Sequence, residues 1–129
     1  CLLAMSCAVA TASGQTSAYA FGGVYDVAVN GVTENQANVT LTVTIFNHSG
    51  ADARDATIHL EDSERSGVDY GSLGVVTLLN GASTVLHGSF VISRREYERW
   101  SHGRTPSICI HFQDGSGVRR RNVELVPRR

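Results

Sequence analysis

The chain contains no lysine; all 11 of its basic residues are arginine. Its 2 prolines are too few for a proline-rich linker, and its 13 glycines among 129 residues rule out a collagen-like chain. Charged residues make up only 18%, which excludes a disordered, self-repelling tail, and the net charge of −1 argues against a nucleic-acid binder driven by bulk electrostatics. No apolar run is long enough to cross a bilayer. The chain also lacks G-x-S-x-G, H-E-x-x-H, a P-loop, a dinucleotide fingerprint, C-x-x-C and the EF-hand pattern. With those motifs missing, no cofactor is expected, and a non-enzymatic role is the reading.

Hydrophobic residues at 42% supply one domain's core. Charge is divided along the chain. Residues 1–93 hold two arginines, Arg54 and Arg65, against eight acids, whereas residues 94–129 hold nine arginines against four acids. Two halves of opposite sign interleave in one fold and cancel, or they present a dipolar surface to a partner.

The first 20 residues, CLLAMSCAVATASGQTSAYA, read as a truncated signal peptide. Positions 1–12 are uncharged, small and apolar, about the length of a signal-peptide core. Ala12-Ser13-Gly14 and Ala18-Tyr19-Ala20 offer small residues at signal-peptidase spacing, so cleavage is expected after Gly14 or Ala20. The residues before Cys7, Ala4-Met5-Ser6, fit a lipobox poorly. A secreted or periplasmic location follows as the expectation. Loss of Cys1 and Cys7 would leave Cys109 alone, unable to form an internal disulfide, so packing must hold the domain at 21–129 together.

The remaining chain alternates with a period of two. Val24–Val29 closes on the turn dipeptide Asn30-Gly31. Val39, Leu41, Val43 and Ile45 alternate with Thr40, Thr42 and Thr44, an inward aliphatic face and an outward threonine face. Residues 56–61, 73–79, 83–92, 108–112 and 118–126 read as five more strands, with 61–72 as a solvated loop. Ser93 caps a short helix near 94–101, whose Tyr97 and Trp100 plug one end of the core. Val39, Leu41, Val43, Ile45, Ile58, Leu60, Phe90, Ile110 and Phe112 are expected inside, and His59 outside. Seven such strands predict an all-β, seven-stranded antiparallel immunoglobulin-like sandwich.

The segments NVTLTVTIFNHSGADARDATIHLEDS, LNGAS and DGSGVRRRNVEL together resemble the immunoglobulin-like or fibronectin-III-like β-sandwich modules of bacterial exported proteins. The resemblance covers residues 24–126 and is one of architecture; no cysteine pair spans the sheets, and Trp100 is not on the third strand. That architecture hosts adhesion, carbohydrate binding, scaffolding and assembly alike and implies little about function. The expectation is a binding or assembly module with a protein or anionic glycan partner in the envelope or outside the cell, with self-association as a further expectation from the charge split.

Two constellations stand out. Arg119 and Arg121 on the last strand, with Arg128 and Arg129 close behind, form a candidate cationic row for carboxylate or phosphate groups; the plainer reading is protection of a sheet edge. His59, Cys109 and His111 share the outward parity of the third and sixth strands and form a candidate N/N/S metal set. The rival function is therefore a small metal-binding periplasmic protein, or a small exported enzyme using that histidine face. Neither constellation implies nucleic acid or a membrane span.

Overall fold

The computed structural model describes residues 20–65, 67–114 and 117–128; the expected leader, except Ala20, and Arg129 fall outside them. Seven strands and one helix follow in the order β1 (Phe21–Val32), β2 (Gln36–Asn47), β3 (Ala53–Glu61), β4 (Asp69–Leu78), β5 (Ser83–Ser93), α1 (Arg94–Ser101), β6 (Ser107–Asp114) and β7 (Gly117–Pro127). The fold is all-β.

The hydrogen-bonded strand order is β4-β3-β6-β7-β1-β2-β5. One correction to the expected architecture arises here. The first and last strands pair in parallel, Gly22–Tyr25 against Glu124–Pro127, so the sheet is mixed and not purely antiparallel. That pair joins the three-stranded layer β1-β2-β5 to the four-stranded layer β4-β3-β6-β7, and the whole curls toward a barrel. On the far side β4 and β5 approach without pairing, and the Phe90 ring fills the gap. A Cβ built on Gly88 would lie 2.8 Å from that ring, and one on Gly71 3.2 Å from it. Only glycine at position 88 leaves the ring its place.

The alternation expected from sequence sets the two faces. Val39, Leu41, Val43, Ile45, Ile58, Leu60 and Ile110 are wholly buried, and Phe90 nearly so. Thr40, Thr42, Thr44 and His59 are half-buried on the outer faces. Thr40 bonds to the Ser89 hydroxyl at 3.3 Å and Thr42 to His87 Nδ1 at 3.1 Å, so cross-strand partners cover the threonines. Phe112 departs from expectation. It is only half-buried, packing edge-on against Phe21 at 5.6 Å between ring centroids, because β6 here reaches the rim of the core.

Three local features also differ from the sequence reading. Asn30-Gly31 is no turn: β1 continues to Val32 through a register shift between Val29 and Gly31, and the Thr33 N–H bonds to Gln36 O at 2.8 Å in the turn itself. Ala53 and Ala56 are both fully buried although three residues apart, because β3 bulges between them, with Asp55 in the left-handed region at φ +49°. The segment before β4 is not simply solvated, since Asp62 is buried and β4 already begins at Asp69.

Candidate functional site

Helix α1 begins as expected. Ser93 Oγ accepts the Glu96 N–H at 3.1 Å, half of a capping box. The Glu96 carboxylate does not complete the box. It is fully buried, and its Oε1 accepts the Ser63 N–H at 3.1 Å, the Ser63 hydroxyl at 2.9 Å and Arg99 Nη2 at 2.6 Å. Its Oε2 accepts the Trp100 indole N–H at 2.7 Å. Asp62 joins the network, with Oδ1 3.0 Å from Arg99 Nη2 and Oδ2 accepting the Tyr70 hydroxyl at 2.6 Å. Burial alone would raise the Asp62 carboxyl; the Tyr70 hydroxyl, the Glu64 and Arg65 N–H groups and the Arg99 charge outweigh it and hold it below the usual carboxylate range. The spacing Glu96, Arg99, Trp100 (i, i+3, i+4) was the available sequence signal for this network.

The network fixes the polar edge of the indole inward and leaves the ring lining a cleft of about 320 Å³. Its walls are Tyr25, Val27 and Val29 on β1, Tyr97 and Trp100 on α1, and Pro127 at the end of β7. Tyr25 and Val27 lie on the core-facing side of β1, in register with Val43 and Leu41. They line a cleft because the parallel pairing with β7 stops at Tyr25. Beyond it, the β1 edge from Asp26 to Val32 has no strand partner among the described residues, and Val29 is 46% exposed. Burial raises the Tyr25 hydroxyl. An ion pair, Arg128 to Asp26 at 2.9 Å, closes one side.

Among the described residues the arginines do not form one row, and Arg129 lies outside them. Arg119 and Arg121 stand opposite Phe112 and Ile110, on the core-facing parity of β7, with Arg121 exposed and Arg119 half-buried beyond the core. Arg128 follows Arg121 by seven residues, about 23 Å along an extended chain. Nor is β7 an edge strand, since it lies between β6 and β1. Arg120 has a cross-sheet role and bridges to Glu61 over β6.

His59, Cys109 and His111 do share one outer face. His59 stands opposite Cys109, and His111 opposite Thr57 and Arg120. The His59 and His111 rings are 5.0 Å apart, and His59 Nδ1 lies 3.0 Å from Asp69 Oδ2. The donor atoms that gather within 4.8 Å of one another belong to Glu61, Cys109 and His111, with His59 outside that group. Cys109 is fully buried, and burial pushes its thiol up to about 11 in spite of the nearby Arg120 charge.

No protein family matches the chain, and no curated protein matches it significantly. Among solved structures it is similar to a GH20 exo-β-N-acetylglucosaminidase from Vibrio harveyi, at 15% identity and TM-score 0.44, over 84% of this chain and 18% of the enzyme. It is also similar to a protein from Archaeoglobus fulgidus, at 16% identity and TM-score 0.36, over 76% of this chain and 87% of that one. At these scores the likenesses carry no argument about activity, and the cleft and the outer-face cluster rest on their own geometry.

Proposed function

We propose that this chain is an exported, non-enzymatic binding module that takes up an extended segment of a partner protein along the free edge of β1. The observation that carries this reading is the coincidence of an unpaired strand edge, Asp26–Val32, with an aromatic cleft beside it. A strand added there would pair with backbone N–H and C=O groups, while the cleft takes one apolar side chain. Tyr25, Tyr97 and Trp100 suit such an anchor, because rigid rings lose little entropy on contact. The Asp26–Arg128 pair leaves the mouth without net charge, which favours an uncharged anchor over an anionic glycan.

Trp100 is the chain's single tryptophan, so intrinsic fluorescence reports on the cleft directly. Peptides selected from an extended-peptide library should carry one apolar anchor, shift this emission saturably, and lose at least tenfold in affinity on Tyr97→Ala. If neutral or sulfated oligosaccharides shift the emission and no peptide does, the module reads glycans and the strand-addition reading fails.

Export carries its own refinement. The Ala20 carbonyl accepts the His48 N–H at 2.8 Å, and Phe21 is fully buried at the start of β1. Cleavage after Ala20 would remove that acceptor and set a charged amine on a buried residue, at a cost in desolvation. Cleavage after Gly14 avoids both. N-terminal sequencing of protein recovered from the host envelope should read Gln15 first; retention of residues 1–12 would overturn export itself.

A further inference from the structure

On the outer face of the four-stranded layer, away from the cleft, we infer a binding site for a zinc-like divalent cation built by Glu61, Cys109 and His111. The three come from adjacent antiparallel strands β3 and β6, whose register sets Glu61 against Ser107 and His59 against Cys109. Alternation puts Glu61, His59, Cys109 and His111 on one face. A carboxylate oxygen, a thiol sulfur and an imidazole nitrogen then lie within 4.8 Å of one another. Tetrahedral zinc with bonds of about 2.0–2.3 Å needs donors roughly 3.4–3.7 Å apart. Side-chain rotation of about 1 Å closes that difference.

A second observation points to a ligand. His111 Nε2 is shut off from solvent and has no hydrogen-bond partner among the described residues. A buried polar atom left unpaired is costly, and a metal ion held at that nitrogen would satisfy it. His59 stands next to the group, its ring 5.0 Å from that of His111. With Nδ1 beside Asp69 at 3.0 Å, its Nε2 is left for coordination, the arrangement by which a carboxylate orients a ligating histidine. His111 also lines a hollow with Arg54, Asp55 and Gln113.

Two groups compete with the ion. Arg120 pairs with Glu61 and must swing away. The Cys109 thiol must give up its proton: the cation takes the sulfur lone pair as the S–H bond breaks, and the proton passes to solvent. Binding is therefore expected to release one proton per ion and to tighten as pH rises.

Cobalt(II) is the direct probe, because thiolate ligation gives a charge-transfer band. The full chain should bind one cobalt ion with that band, lose it on zinc addition, and melt higher with zinc than without. Cys109→Ser should abolish the band. His111→Ala, at a half-buried ring whose removal spares the core, should weaken zinc by at least tenfold, and Arg120→Gln should strengthen it. Absence of the band in the folded protein, its survival in Cys109→Ser, or unchanged zinc affinity in His111→Ala would overturn the site.

Discussion

Replacing Glu96 by alanine should destabilise the protein by about 3–5 kcal/mol, a large share of the ~5–15 kcal/mol that holds a typical domain together. The carboxylate is fully buried and gathers Ser63, Arg99 and Trp100 from two segments of the chain. Its removal leaves the Arg99 guanidinium short of its nearest partner and strands the indole N–H and the Ser63 hydroxyl. Glu96→Gln keeps the shape and one acceptor oxygen, so its cost should be smaller. Glu98→Ala, on the exposed face of the same helix in a pair with Arg94 at 3.3 Å, should cost under ~0.5 kcal/mol. Urea unfolding followed by circular dichroism checks all three, and equal costs for Glu96→Ala and Glu98→Ala would contradict the network. Acid probes its other half. Because the folded Asp62 carboxyl is held below its ordinary value of 3.8, its contribution is present above that pH and is lost as pH falls below it.

Leu41→Ala should cost on the order of 2–5 kcal/mol, against under ~1 for Thr42→Ala. Leu41 sits mid-strand on the core face, flanked in register by Val27 and by Gly88, which has no side chain to move into the vacancy. How far the Phe90 ring over Gly88 relaxes into the vacancy sets the cost within that range. Thr42 lies between Asp26 and His87 on the outer face, and its loss removes a methyl group and one bond to an imidazole. Comparable costs at the two positions would mean that the register of β2 is wrong by one residue.

The same alternation explains what could be read in advance. The strand residues declare themselves because each aliphatic position is followed by a polar one, and helix α1 because Ser93 precedes a break in that period. The parallel pairing of β1 with β7 had no such sign: Gly22 meets Glu124 across a hundred residues, and no local pattern encodes that choice. Asn30-Gly31 looked like a hairpin turn, yet the longer β1–β2 ladder absorbed it as a bulge. Acids in a polar loop look solvated until the helix that supplies Arg99 is placed over Asp62.

At the candidate sites, parity places His59, Cys109 and His111 on one face but could not show that the donor atoms gathered within 4.8 Å are those of Glu61, Cys109 and His111, with His59 outside that group. Parity also separated Arg120 from Arg119 and Arg121, yet the partner that gives Arg120 its role, Glu61, lies 59 residues away. The cleft was illegible for a further reason. It exists only because one strand outruns its neighbour, which is a property of the assembled sheet and not of any segment.

Amide chemical-shift mapping of the labelled protein with a selected peptide tests the central claim most directly. Strand addition predicts the largest shifts at Asp26–Val32 and at the Trp100 indole, together with slowed hydrogen exchange of the β1 amides that face the free edge. Shifts confined to the outer faces or to Arg119 and Arg121, with β1 and Trp100 unmoved, would contradict it.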